Sequence, residues 1–248
     1  MIIPSNWTTF NIFFYSIFGI FAVLLGFLDY FELLAMRYSK FGTKQGVPSR
    51  TAMVILYAFP LIVATVLAWP YLPTATPVQW IVYGAVMLHF TKRTLESAFV
   101  HKYSGHMQPL TFGIIVFTYA LMAGMITGLN AKPIPAMDLY FYVGVVFVLV
   151  GEAGNFYHHK LLADLRSDDG EYHLPRGGWF DQATCPHYFF ELLTWLGMAL
   201  ISQHLFTWLI FIAMFGYFIA RSIKTKQWYM KRFDNYPADQ KFMIPYIF

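Results

Sequence analysis

Seven stretches of this chain are apolar almost without interruption: Phe10–Ala35, Thr51–Leu72, Val78–Phe90, Leu110–Leu129, Leu139–Phe156, Tyr188–Ile201 and Leu205–Ala220. A helix that crosses a bilayer needs about 20 mostly apolar residues. The third and sixth stretches are short; the third gains length from Thr91–Val100, and only Ser202-Gln203-His204 divides the last two. The pattern predicts an all-α integral membrane protein, a bundle of seven transmembrane helices. No repeat, low-complexity run or linker interrupts it, so residues 1–248 form one domain.

The polar gaps between these stretches are asymmetric. Sixteen of the seventeen Lys and Arg residues fall in the odd-numbered gaps and the tail, and Lys132 alone lies in an even one. Basic residues stay on the cytoplasmic side, which places the N-terminus outside and the C-terminus in the cytoplasm. Composition agrees with a lipid-covered surface: 58% of residues are hydrophobic and only 12% charged, against about 25% charged in soluble domains. The first apolar stretch is too long, and its leader too poor in Lys and Arg, for a cleavable signal peptide. A single cysteine precludes an internal disulfide. The +4 charge suits anionic lipid or a phosphorylated ligand. Its spread over several loops argues against nucleic acid.

Ionisable residues inside a span are costly and usually mark a site. Asp29 and Glu32 lie one turn apart near the end of the first stretch, where water is also within reach. His89 ends the third, followed by Phe90-Thr91-Lys92-Arg93. Lys92 and Arg93 read equally as interfacial anchors, and Glu96 as the i+4 partner of Lys92. Glu152 sits within Gly151-Glu152-Ala153-Gly154-Asn155, whose small residues permit close helix approach.

The segment from Asn155 to Glu191 carries most of the candidate chemistry. Continued as a helix, Asn155, His159, Leu162 and Arg166 share one face. That face is roughly 16 Å long at the helical rise, the scale of an extended dinucleotide. An arginine fork at its far end suits phosphate, although the same residues also describe a solvated helix end. Tyr172-His173-Leu174-Pro175-Arg176-Gly177-Gly178-Trp179-Phe180 follows, with Gly-Gly making a tight turn. Cys185-Pro186-His187-Tyr188-Phe189-Phe190-Glu191 then opens the sixth stretch, with His187 and Glu191 on one face. The eight histidines lack the spacing of a membrane di-iron box, and Cys185 with His187 cannot complete a zinc site. No resident metal is expected. No Gly-x-Gly-x-x-Gly motif follows a strand, so a dinucleotide would have to lie within the bundle.

These residues resemble the steroid 5α-reductase family (3-oxo-5-alpha-steroid 4-dehydrogenases), which includes the very-long-chain trans-2-enoyl-CoA reductases and polyprenol reductases. The resemblance rests on Gly154-Asn155 with Leu165-Arg166, Tyr172 to Phe180, Cys185-Pro186-His187-Tyr188 with Glu191, Trp228-Tyr229 with Phe233, and Tyr236-Pro237. Ile244-Pro245-Tyr246-Ile247-Phe248 adds to it, as does Leu88 to Glu96 with Phe99-Val100-His101-Lys102, which is similar to the enoyl-CoA reductase branch. The resemblance implies a seven-helix fold that binds NADPH from the cytosol and reduces the double bond of an α,β-unsaturated carbonyl, such as the Δ4 bond of a 3-oxo steroid. It implies that residues 1–154 mainly serve the substrate and 155–248 the cofactor. Arg93, Lys102, Asn155, His159, Arg166, Tyr172, His187, Glu191 and Tyr229 are its implied cofactor contacts. The resemblance implies an apolar steroid or lipid enone as substrate; the expected host is a bacterial inner membrane or the endoplasmic reticulum, and the expected state a monomer.

In the family's steroid reductases a Tyr after the third-span His and a second-span Glu polarise the carbonyl. This chain has Phe90 at the first position and no acid across Met53–Pro60, where Tyr57 is the protic side chain. Tyr57, His89 and Glu96 are therefore the candidate catalytic groups. Two other functions fit a small helical membrane protein: an isoprenylcysteine-type methyltransferase, whose Arg-His-Pro-x-Tyr pattern is missing here, and a lipid-binding scaffold without a cofactor.

Overall fold

A computed structural model describes residues 1–33, 43–165 and 173–248. Seven long helices dominate them: α1 (Thr9–Tyr30), α2 (Ser49–Ala68), α3 (Pro77–Leu95), α4 (Pro109–Leu129), α5 (Leu139–Asp164), α6 (Pro186–Ser202) and α7 (Leu205–Arg232). Local chemistry starts several of them. Thr76 and Gln79 form a reciprocal capping box at α3, with Pro77 in its first turn. The Asp138 carboxylate accepts from Phe141 N at 2.8 Å and caps α5.

Among the described residues, five helices are long and apolar enough to cross a membrane: α1, α2, α4, α5 and α7. The other two depart from that standard for visible reasons. Helix α3 carries Gln79, His89, Lys92 and Arg93 on its buried side, and α6, with 17 residues, is too short. The helices also overrun the apolar stretches. Helix α3 continues five residues past Phe90, α5 reaches Asp164 rather than Phe156, and α7 reaches Arg232 rather than Ala220. Helix α1 ends earlier, at Tyr30, with Glu32 beyond it in a left-handed conformation (φ 58°).

The surface is apolar and the interior partly polar, the inverse of a soluble bundle. Phe10, Phe13 and Phe27 of α1 are more than 60% exposed, while Asp29 on the same helix is 2% exposed. Helices pack in pairs through small residues, as expected where lipid replaces the hydrophobic drive. On α5, a Cβ at Gly154 would stand 2.2 Å from the Phe190 ring of α6. On α1, one at Gly26 would meet the Gly216 carbonyl oxygen of α7 at 2.6 Å. Helices α2 and α4 form a third close pair. By contrast, the α3 and α5 backbones scarcely approach, and side chains bridge them.

Short pairings tie the connections together. Val47–Pro48 pairs antiparallel with His106–Met107. The C-terminal segment returns to the lead-in of α6, where Thr184 N and Cys185 N donate to Lys241 O and Phe242 O, each at 2.8 Å. At the other end, Ile2 N donates to Gln203 O at 2.6 Å.

Candidate functional site

A cavity of about 240 Å³ opens where the later turns of α3, α5 and α7 meet the early turns of α2 and α6. Its wall includes Tyr57 from α2, Arg93 from α3, Asn155 and His159 from α5, His187 and Glu191 from α6, and Thr225 and Tyr229 from α7. Lys102 and His173 contribute from the connections. Arg166 and Tyr172 lie outside the described residues. His89 and Glu96 are each 1% exposed and do not line the cavity; they stand behind its wall.

The α3 side of the site follows from helical spacing. His89, Lys92, Arg93 and Glu96 recur at three- and four-residue intervals and so share one stripe, which faces Glu152, Asn155 and His159 on α5. His89 Nδ1 meets Glu152 Oε1 at 2.7 Å, and its Nε2 faces Glu191 Oε1 at 3.5 Å. Lys92 Nζ reaches Glu152 Oε2 at 2.7 Å and donates to Asn155 Oδ1 at 2.6 Å. The Asn155 amide is thereby oriented, and its Nδ2 donates to His187 O at 3.0 Å. Arg93 pairs with Glu96, places Nη1 2.7 Å from His159 Nδ1, and donates from Nη2 to the Tyr57 hydroxyl at 2.8 Å. Beyond Arg93 the chain widens by one residue per turn: His101 N donates to Glu96 O, five residues back, at 2.8 Å. Such turns occur frequently at functional sites.

The Arg93 bond has a direct chemical consequence. The Tyr57 oxygen accepts from a guanidinium, so its own proton is left to donate elsewhere. Tyr57 is 5% exposed, and its ring lies face to face with that of Tyr119 on α4, centroids 5.5 Å apart. Phe90 closes the wall behind Tyr119, ring centroids 6.0 Å apart. At the rim, burial raises the Tyr103 hydroxyl pKa against the pull of its bond to Ser97. Burial also pushes the Tyr236 phenol up to about 12, opposed by its hydrogen bond with Thr184.

Two ligand classes can be weighed against these groups. Glu96, His101 and His159 offer atoms within 4.8 Å of one another. The guanidinium of Arg93 already sits against two of the three, and a second cation there would be repelled. A nicotinamide dinucleotide fits better. Cationic Arg93 and Lys102, polar Asn155 and aromatic Tyr229 share one wall. The buried Thr225 Oγ1 and Arg93 Nε face that wall with no hydrogen-bond partner among the described residues.

Sequence reasoning overlooked Tyr119, Tyr103, Tyr217 and Thr225. Tyr119 lies in an otherwise apolar run and resembles an ordinary core aromatic. Thr225 falls after Ala220, where the apolar stretch stops but α7 does not; the polar positions at four-residue spacing, Arg221, Thr225 and Tyr229, were the available signal.

Residues 106–248 match the family model for 3-oxo-5-alpha-steroid 4-dehydrogenase. The chain is 27% identical over 226 residues to 3-oxo-5-alpha-steroid 4-dehydrogenase 1 of Bos taurus, covering 85% of this chain and 86% of that protein. It is 34% identical over 178 residues to a putative enoyl reductase of Schizosaccharomyces pombe, covering 68% of this chain and 59% of the relative. A very-long-chain enoyl-CoA reductase of Dictyostelium discoideum is 29% identical over 166 residues, with 64% of this chain and 55% of the relative covered. The chain thus spans less than two thirds of the length of some of its relatives. The matched region holds α4 to α7, four helices that all contribute to the cavity wall, together with the C-terminal return, and on that match the chain belongs to the 3-oxo-5-alpha-steroid 4-dehydrogenase family.

Proposed function

We propose that this protein is an NADPH-dependent reductase of the double bond in an α,β-unsaturated carbonyl, such as the Δ4 bond of a 3-oxo steroid. The observation that carries the reading is the Arg93–Tyr57 bond at the cavity wall. Reduction of an enone at its β-carbon drives negative charge onto the carbonyl oxygen. A fixed donor aimed at that oxygen stabilises the transition state more than the ground state. Tyr57 is that donor, and Arg93 holds its oxygen so that the proton faces substrate. Burial keeps competing water away and strengthens the interaction. The bound nicotinamide supplies the hydride. Asn155, His159, His187, Glu191, Tyr229, Lys102 and Arg93 hold the dinucleotide, and Arg166 and Tyr172 join them.

On this reading the seven helices all span the bilayer, with the N-terminus outside and the basic, cofactor-binding end in the cytoplasm. Family membership supports a reductase over the methyl-transfer and scaffold readings. A trans-2-enoyl-CoA is the second substrate class, favoured by the cationic Arg93 and Lys102 in the cavity wall and by the names of two relatives. The test is NADPH oxidation by the purified protein, followed at its absorbance band, with a Δ4-3-oxo steroid and with a trans-2-enoyl-CoA. Turnover of either supports the reading and selects the substrate. Turnover of neither, with no NADPH retained, removes it.

A further inference from the structure

We infer that His89 and Glu191 hold one proton between them at the cavity wall, and that this proton completes the reduction at the α-carbon. The inference rests on the reductase reading above, which supplies a hydride and leaves the accompanying proton without a source.

The neighbours of His89 fix which of its nitrogens carries hydrogen. Lys92 Nζ stands 2.7 Å from Glu152 Oε2 and can only donate, so Glu152 is an acceptor. His89 Nδ1, 2.7 Å from the other oxygen of that carboxylate, therefore bears a hydrogen. Its Nε2 faces Glu191 Oε1 at 3.5 Å. Left bare, that nitrogen and a carboxylate oxygen are two acceptors opposed in a site where His89 is 1% exposed and Glu191 9%. One proton between them turns repulsion into a charge-assisted contact. Phe90 and Trp195 pack edge-on against the His89 ring, centroids 5.0 Å away in each case, and hold its orientation.

Charge balance leads to the same place. The layer joining α3, α5 and α6 sets Glu96, Glu152 and Glu191 against Lys92 and Arg93. Three acids against two bases leave one negative charge unmatched, which is costly in a dry interior. A proton on His89, with a carboxylate at each ring nitrogen, cancels it. His159 also lies near an acid, its Nδ1 3.1 Å from Glu96 Oε2. There, however, Arg93 Nη1 stands 2.7 Å from the same nitrogen and donates to it, so a guanidinium hydrogen already separates the acceptors. His101 is 4.0 Å from Glu96, beyond hydrogen-bond reach. Lys102, on the cavity wall, is exposed and stands outside the count.

The chemistry follows from position. Hydride from the bound nicotinamide forms the Cβ–H bond, the π pair of the alkene moves toward the carbonyl, and the enolate must take a proton at Cα. Glu191 lines the cavity and His89 stands behind the wall. The Glu191 O–H bond therefore breaks as the Cα–H bond forms, and His89 supplies that proton to Glu191. Water restores it after the product leaves. Tyr57 keeps its own proton throughout. His89 acts through Glu191 and is a positioning residue.

The test starts with full-length protein in micelles, carrying isotope-labelled histidine and no added substrate. The His89 signal, identified by its loss in His89→Gln, should show both ring nitrogens protonated at pH about 8, where isolated imidazole and carboxyl groups have lost their protons. In Glu191→Gln the remaining acids and bases balance, so the same signal should become singly protonated. That variant should lower kcat roughly 100-fold. Its NADPH dissociation constant should stay within about threefold, because the amide keeps the shape and hydrogen bonding of the acid. If His89 is singly protonated in the unaltered protein, and infrared spectra show no protonated carboxyl that Glu191→Gln removes, no proton is stored and the inference is overturned. If Glu191→Gln weakens NADPH binding and keeps kcat at saturation, Glu191 is a cofactor contact alone and the inference is equally overturned. If His89 is doubly protonated but the unaltered protein binds no NADPH and reduces neither probe, the reductase reading fails and takes the delivery step with it, while the stored proton stands.

Discussion

Replacing Lys92 by methionine keeps most of the side chain's volume and removes its charge. Lys92 Nζ lies 2.7 Å from Glu152 Oε2 and 2.6 Å from Asn155 Oδ1. Its loss strands a carboxylate that is 5% exposed, with His89 as its remaining close partner. Removing one member of a buried ion pair costs about 3–5 kcal/mol. The Lys92 side chain is 14% exposed, so some water can reach the vacated site, which favours the lower end, about 3 kcal/mol. No extensive α3–α5 backbone packing is present to absorb the loss. For a chain of this size each kcal/mol moves Tm by about 2–4 °C, giving a fall of roughly 6–12 °C. Glu152→Gln introduced with Lys92→Met removes the stranded charge and should recover at least about 1.5 kcal/mol relative to the sum of the single changes. The assay is a thermal scan in detergent micelles at one heating rate, on the four proteins of the cycle. Additivity within about 0.5 kcal/mol would refute the claim that these two groups form a coupled buried pair.

Three further outcomes follow from the geometry. Tyr57→Phe should reduce kcat by roughly 100- to 1,000-fold with NADPH binding unchanged, read by stopped-flow turnover and cofactor fluorescence; unaltered turnover would remove Tyr57 from the chemistry. Gly154→Ala places a Cβ 2.2 Å from the Phe190 ring and should destabilise the protein by about 1–3 kcal/mol through forced separation of α5 and α6, whereas a neutral Tm shift would show that this contact relaxes freely. The Tyr236 phenol, held up to about 12, favours the folded state only while neutral. Its contribution is fully present below pH 10 and is lost as pH rises through about 12, so the alkaline fall in Tm should be shallower in Tyr236→Phe; identical profiles would contradict the raised value.

Much of the architecture was legible because lipid imposes a simple rule: helices that face it are apolar for about 20 residues. The same rule misplaced the helix ends. Apolar stretches stop where water or polar partners begin, but a helix continues while its inner face is covered. Helix α5 runs on through His158 and His159 because both are buried, the first bonding Gly154 O at 2.7 Å and the second meeting Arg93. On α3, Lys92 and Arg93 have the composition of interfacial anchors, yet both turn inward, because Glu152, Glu96 and Tyr57 await them across the bundle. No local pattern encodes that choice. Glu152 was marked by its charge at membrane depth and by the flanking glycines, but its role as the partner of both His89 and Lys92 depends on the α3 register. Tyr119 carried no signal at all, since its place against Tyr57 at the cavity wall comes from the packing of α4 on α2.

The length of α7 has a consequence for where the two reactants meet. Its 28 residues rise about 42 Å, some 12 Å more than a typical hydrocarbon core of about 30 Å. On the orientation and cofactor proposed above, an excess at its basic end would carry Thr225 and Tyr229 to headgroup depth. The proposed dinucleotide would then not have to penetrate the acyl region, nor the proposed enone to leave it. Turnover should respond to bilayer thickness, because thinner or thicker lipids would tilt this one rod and slide the two halves of the pocket out of register.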